Sequence, residues 1–254
     1  MDKTTNNLMN SAEILINGAM VIRARGRFVD ECKNRFLCKV NLPELGLMQC
    51  YVSSSARLTN LINLKDRIVC LSELPNGKCS KYSLLAREDG RYYTLLNLNL
   101  VNNLICAALK SEKRYNAVNM QINKLTSFGY RSDISACFKN IEYFEIKSLL
   151  SDDKIAKFPA ILGERAFRQL EQISEELINN KRFTYIIALL NSKIKAVTLC
   201  EENSEYNQLI KKCFARGMKI RIYRLNWVIG DTPGFLRARK AEQAFISQLQ
   251  EVSA

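Results

Sequence analysis

Residues 142–148 read EYFEIKS, and residues 135–138 just ahead of them read SACF. Two such runs joined by a short turn at Lys139-Asn140 predict neighbouring strands. Side chains alternate along a strand, so Glu145 and Lys147 share one face and Ile146 lies in the core. A carboxylate beside an ammonium at a strand end supplies the minimal parts of a divalent-metal nuclease. The carboxylate holds Mg2+ or Mn2+; the lysine orients or activates the attacking water and offsets phosphate charge. On most strands the same triplet is only a solvated face. Here it follows the candidate strand SDISACF and precedes a helix beginning near Gly163-Glu164-Arg165, whose N-terminus can meet a phosphate. Glu145 and Lys147 are therefore the candidate catalytic residues, with Glu145 the candidate metal ligand.

Working outward, the helix runs from about Gly163 to Asn180 with Phe167, Leu170, Ile173 and Leu177 on its buried stripe. FTYIIALL (Phe183–Leu190) is a near-continuous apolar run, the pattern of a strand covered on both faces. KAVTLC predicts another strand, Tyr206–Arg216 a helix stopped by Gly217, and KIRIYRL the last strand. Strands alternating with helices imply a mixed or parallel sheet.

The first half differs. VIRARGRFV (Val21–Val29), RFLCKVNL, LMQCYVS, RIVCLS and RYYTLL are five short candidate strands, separated by turn formers at Leu42-Pro43, Leu74-Pro75-Asn76-Gly77 and Glu88-Asp89-Gly90. Five strands in so short a span suggest a small barrel of the oligonucleotide-binding (OB) size. An amphipathic helix across Asn97–Ser111 follows. The expected division is a polar extension at 1–18, the barrel with its connecting helix at 19–112, an α/β domain at 113–228, and a basic C-terminal tail or helix at 229–254.

The chain has 254 residues, 38 Lys+Arg against 25 Asp+Glu, a net charge of +13 and no histidine. Catalysis by Ser–His–Asp or Cys–His, and any zinc site built on imidazole, are thereby excluded. An apolar fraction of 47% is globular rather than disordered composition. Nine cysteines without a C-x-x-C pair predict reduced thiols in a cytoplasmic protein. No apolar stretch is long enough to cross a bilayer as a helix, so no membrane partner is expected.

The positive charge falls in two clusters and points to a polyanion. Lys211, Lys212, Arg216, Lys219, Arg221, Arg224, Arg237, Arg239 and Lys240 face only Asp231 in the same stretch. Arg23, Arg25, Arg27, Lys33, Arg35 and Lys39 form the second cluster, with Arg23, Arg25 and Arg27 on one strand face as a stripe that could track phosphates. Tyr51, Tyr82, Tyr92 and Tyr93 are either stacking surfaces for bases or barrel packing.

The sequence resembles the sugar fermentation stimulation protein A family from about Val21 to Leu225. The matching motifs are Ser132-Asp133-Ile134-Ser135, Glu145-Ile146-Lys147-Ser148, Phe158-Pro159-Ala160 and Glu164-Arg165. Downstream are Tyr206, Leu209, Gly217, Ile220 and Tyr223; in the first half are Arg27-Phe28, RLTNLINLKDRIVCLS, Asn97 and Asn102. The resemblance implies a two-domain α+β and α/β chain: an N-terminal OB-like β-barrel, then a restriction-endonuclease-like PD-(D/E)XK mixed sheet flanked by helices. It also implies DNA binding and a magnesium-dependent phosphodiesterase. Against the family pattern, the metal-site aspartate falls at Ser135, an upstream glutamate near Gln121, and the aspartate after Phe-Pro at Ala160. The family's Pro-Asn-Thr-Gly loop is Tyr51-Val52-Ser53-Ser54. Asp133 alternates onto the face of Ser135 and is the candidate substitute for the missing acid, although it lies about 6–7 Å further along the strand.

Three functions follow. The first is a nucleic-acid-binding protein, DNA ahead of RNA, whose nuclease-like site has lost catalysis. The second is an active Mg2+- or Mn2+-dependent nuclease with a rearranged metal site. The third is a non-enzymatic scaffold whose basic face meets an acidic protein partner or a second copy of the chain.

Overall fold

The computed structural model describes residues 20–250, apart from 35, 55, 75–79, 127, 128 and 162. The polar extension at 1–18, Arg35 and the turn at Pro75-Asn76-Gly77 lie outside the described residues. The chain divides into two compact units. The first comprises Met1–Asn103 with Val228–Gly230; the second comprises Leu104–Trp227 and Asp231–Ala254.

The first unit is built on six strands: β1 (Ala24–Glu31), β2 (Leu37–Leu42), β3 (Gly46–Tyr51), β4 (Ile68–Glu73), β5 (Tyr82–Asp89) and β6 (Tyr92–Leu95). Their order is β3-β2-β1-β4-β5-β6, and β3 also pairs with β5 in parallel through Cys50–Tyr82 and Tyr51–Ser83. That second pairing closes β1 to β5 into a five-stranded OB-like barrel, with β6 hydrogen-bonded outside the closure. Phe28, Cys38, Val40, Leu42, Leu71 and Leu84 are among its buried residues. Gly26 marks the tightest packing in β1, because a Cβ there would lie 2.6 Å from Leu42 and 2.7 Å from the Asn41 carbonyl.

The five expected strands omit β5 and count β6 as a barrel strand. Tyr82 to Arg87 are all buried, so the apolar–polar alternation that reveals a one-sided strand is absent. Arg87, in the middle of that run, further disguises it; its guanidinium reaches Asp89 at 2.8 Å and the Asn63 carbonyl at 2.8 Å.

The division between units falls within α1 (Val101–Lys110). The second unit then runs β7 (Asn119–Leu125), β8 (Arg131–Cys137), β9 (Ile141–Leu149), β10 (Ile155–Phe158), α2 (Glu164–Ile178), β11 (Arg182–Leu189), β12 (Ala196–Leu199), α3 (Ser204–Ala215), β13 (Lys219–Asn226), β14 (Gly234–Arg237) and α4 (Arg239–Gln250). The main sheet has the order β14-β13-β11-β9-β8-β7. Its centre, β9-β11-β13, is parallel, and its outer strands are antiparallel. It is a mixed sheet flanked by helices, as the sequence predicts.

One sheet face packs Tyr143, Leu149, Phe183, Tyr185, Ile187, Ile220 and Ile222 against Leu170, Ile173 and Leu177 of α2, Tyr206 and Ile210 of α3, and Phe245 of α4. β11 is buried along Phe183–Leu189, the expected pattern of a strand covered on both faces. Gly217, at φ +95°, ends α3 in a left-handed turn, and Met218 N–H returns to the Cys213 carbonyl at 3.1 Å.

KAVTLC forms the strand β12, which lies in a separate two-stranded sheet with β10. One expectation is corrected: KIRIYRL is not the last strand, because β14 pairs with it along Tyr223–Asn226. Of the tail or helix expected at 229–254, residues 239–250 are the helix α4, whose Ala241, Phe245 and Leu249 enter the core.

Candidate active site

β9 carries Glu145 and Lys147 on the face covered by the helices, so the pair is enclosed rather than solvated. Glu145 is only 2% exposed. Its carboxylate accepts the Lys147 ammonium at 2.6 Å and the Tyr130 hydroxyl from just ahead of β8. Lys147 also donates to the side-chain carbonyl of Gln169 on α2, at 2.7 Å. Burial pushes the Glu145 carboxyl above its ordinary value, the ammonium of Lys147 pulls it back, and Asp133 adds a further upward push. Burial and the Glu145 charge raise the Tyr130 hydroxyl far beyond a normal phenol.

The register of β8 against β9 decides which residue stands beside Glu145. Ser135 pairs with Tyr143 and Ile134 with Phe144, where the pairing ends; one residue further along β8, Asp133 is close enough for its charge to act on Glu145. The Asp133 carboxylate accepts the backbone N–H of Ile146 at 2.7 Å. Ser135, the expected place of the missing aspartate, pairs with Tyr143, two residues along β9 from Glu145, and its buried hydroxyl has no partner among the described residues. Gln121 on β7 pairs with Ser135, not with the Glu145 position. Ala160 lies beyond β10, after the Phe158-Pro159 turn. Two carboxylates, Asp133 and Glu145, therefore share this site.

Among the described residues no three His, Cys, Asp or Glu side chains group as a ready-made metal cage. Mg2+ does not require one, because it is commonly held by one or two carboxylates, waters and the substrate's own phosphates. The Asp133–Glu145 donor set fits that mode.

The basic residues are placed more variously. In the first unit Arg25 and Arg27 are exposed on β1, as alternation predicts, and Arg23 is exposed just ahead of that strand. Each already has a partner: Arg23 lies 3.9 Å from Glu73, Arg25 lies 2.7 Å from Glu88 and donates to the Tyr93 hydroxyl, and Arg27 donates to the Asp66 carbonyl. Tyr82 and Tyr93 are buried, which removes them as stacking surfaces; Tyr51 and Tyr92 are half-buried.

In the second unit Lys212, Arg216 and Lys219 are exposed, and Lys211 is half-exposed. Arg216 also donates to the Ser174 hydroxyl at 2.6 Å. Arg221 does not belong with them. It is 6% exposed, ion-paired with Glu112 at 3.1 Å, and stacked over the Tyr115 ring. Arg224 is half-buried, donates to the Lys195 carbonyl at 3.3 Å, and has its pKa lowered by burial. Arg237 pairs with Glu242 at 2.6 Å.

Tyr130 and Gln169 are the site residues that sequence reasoning missed. Gln169 carries a faint signal, standing one position before Leu170 of the apolar stripe and so on the border of the buried face. Tyr130 carries none.

The comparisons with known proteins agree with this fold. The structure superposes on a solved structure of Pyrococcus furiosus SfsA in complex with Ca2+, with a TM-score of 0.72 over 86% of this chain and 96% of that one. At 16% identity this likeness shows a shared fold. A search of curated proteins finds no match. The model of the sugar fermentation stimulation protein RE domain matches residues 99–229, the stretch that holds Asp133, Glu145, Lys147 and Gln169. Since that match spans more than half of its length, the chain belongs to the sugar fermentation stimulation protein family.

Proposed function

We propose that this chain binds nucleic acid, DNA ahead of RNA, and that Asp133, Glu145 and Lys147 form a divalent-metal-dependent phosphodiesterase site acting on it. The observation that carries the proposal is the contact of the Asp133 carboxylate with the Ile146 N–H at 2.7 Å, beside Glu145, which supports Asp133 as the substitute acid that the sequence offers. The net charge of +13 supports a polyanionic partner. The Ca2+ bound in the complex of Pyrococcus furiosus SfsA supports a hard divalent cation in a fold of this kind.

Asp133 and Glu145 would hold the cation. A divalent cation supplies neutralisation of phosphoryl charge and activation of water. Lys147 has three N–H donors; two are engaged by Glu145 and Gln169, which leaves one for a phosphate oxygen or the attacking water. The hydroxyl of Tyr130 must leave Glu145, or share its oxygen, when the carboxylate turns to a cation.

A second reading, nucleic-acid binding without cleavage, is favoured by that same contact, since Lys147 and Tyr130 already occupy the Glu145 carboxylate. Titrating Mg2+ and Mn2+ in a cleavage assay separates the two. Cleavage by the wild type that is lost in Glu145→Gln and Lys147→Met supports the nuclease. Binding without cleavage at any metal concentration leaves the binding function alone. A third outcome, no binding even at low salt, would point to an acidic protein partner.

A further inference from the structure

Gln169 and Arg165 stand four residues apart on α2, which brings them to one helix face. Gln169 is the side chain that joins α2 to the site, accepting the Lys147 ammonium through its carbonyl oxygen at 2.7 Å. With that oxygen turned to Lys147, the amide N–H2 at the other end of the same side chain remains a donor. Arg165 is exposed and, among the described residues, has no acidic partner, whereas its neighbour Arg168 lies 3.7 Å from Glu164. Its charge acts on the Tyr130 hydroxyl, the group that donates to Glu145, and offsets part of the upward push on that phenol.

An ammonium tethered at one point by a carboxylate swings on a flexible stem. A second tether from a rigid helix fixes where its remaining N–H points. An unpaired guanidinium one helix turn away suits bidentate recognition of a phosphate.

We propose that Gln169 is a positioning residue that aims Lys147, and that Arg165 holds a backbone phosphate of the substrate strand on the α2 side of the site. This rests on the phosphodiesterase reading above, and adds to it which element grips the substrate. Gln169 acts through Lys147; Arg165 acts on the nucleic acid directly.

The test uses the full chain, a labelled single-stranded DNA oligonucleotide, Mg2+ for cleavage and Ca2+ for binding, with thermal melts to establish that each variant folds. Gln169→Met is expected to lower kcat by about ten- to a hundredfold, the worth of a hydrogen bond to a charged group, with Kd little changed. Gln169→Glu, which restores an acceptor for Lys147, is expected to recover part of kcat. Arg165→Met is expected to raise Kd and to reduce the salt slope of binding by about one.

If the wild type cleaves but Gln169→Met matches it, or Gln169→Glu is no better than Gln169→Met, the positioning role is overturned while the phosphodiesterase stands. An unchanged salt slope in Arg165→Met overturns the phosphate contact. A wild type that binds without cleaving sinks the phosphodiesterase reading, and the role of Gln169 with it. Arg165 is still decided by the slope.

Discussion

The Asp133 carboxylate accepts the backbone N–H of Ile146 at 2.7 Å, the residue lying between Glu145 and Lys147. One side chain on β8 thereby clamps the strand that carries both candidate catalytic groups. The contact gives Asp133 two roles, as a brace for the β9 backbone and as a carboxylate beside Glu145. Asp133→Asn keeps an oxygen acceptor for the Ile146 N–H but removes the charge. It should fold like the wild type and lose cation binding, seen by calorimetry with Mg2+ or Ca2+. Ser135→Ala, which removes an unpartnered hydroxyl, should leave cation binding intact. The reverse pattern would place the metal site at Ser135.

The thiols give a pH-dependent prediction. Burial raises Cys70 to about 12 and Cys213 to about 11, and Glu88 adds to the shift of Cys70. The thiolate is the nucleophile, so its population, and with it the labelling rate, climbs about tenfold for each pH unit below the pKa. In the native protein iodoacetamide at pH 8 should label the half-exposed Cys32 and Cys137 first and leave Cys70 and Cys213 nearly untouched. Mass spectrometry of the labelled peptides reads this directly. Early labelling of Cys213 would contradict the buried environment assigned to it.

On the barrel, Arg25 is held by Glu88 at 2.7 Å, so a phosphate must compete with a carboxylate for it. Exposed ion pairs of this kind are worth about 0.2–1 kcal/mol, which makes the competition winnable. Glu88→Gln should therefore tighten nucleic-acid binding at low salt, by about two- to fivefold on that scale. Replacing Arg23, Arg25 and Arg27 together by alanine should weaken binding and flatten its salt dependence. Affinity unchanged by either substitution would put the nucleic-acid path elsewhere.

Arg221 separates a structural arginine from a phosphate-binding one. Its guanidinium is buried against Tyr115, paired with Glu112, and donates to the Tyr223 hydroxyl at 3.3 Å. Removing one partner of a buried pair leaves the other uncompensated. Because Glu112 keeps a quarter of its side-chain exposure, the cost of Arg221→Met should stay at or below about 3 kcal/mol, the lower end for broken buried pairs. Urea unfolding measures that loss. The salt slope of nucleic-acid binding should not move, in contrast to Lys212→Ala or Lys219→Ala.

Much of this fold is legible in the residues. The β11 run Phe183–Leu189 and the α2 stripe at Leu170, Ile173 and Leu177 are patterns that burial on one or two faces imposes, and they stand where the sequence puts them. β7 and β5 are not legible, for opposite reasons. β7 is a largely exposed outermost strand of its sheet, with only Met120 and Ile122 alternating on one face and no residue buried, and β5 is buried along most of its length. The second carboxylate is legible only as one candidate, Asp133, for another reason. Which residue of β8 stands beside Glu145 depends on how many residues the turn at Lys139-Asn140 takes up, and a slip of two positions keeps every side chain on its own face. Periodicity cannot tell Ser135 from Asp133; pairing can. Arg221 shows the limit of charge counting, since a run of arginines on β13 includes one that the sheet buries.

The most direct measurement is Mg2+- or Mn2+-dependent cleavage of a labelled oligonucleotide by the wild type, Asp133→Asn and Glu145→Gln, with nucleic-acid binding followed in parallel. The account predicts cleavage by the wild type alone, with binding preserved in all three proteins. Cleavage that persists in Asp133→Asn, or a wild type that binds and never cleaves, would contradict it.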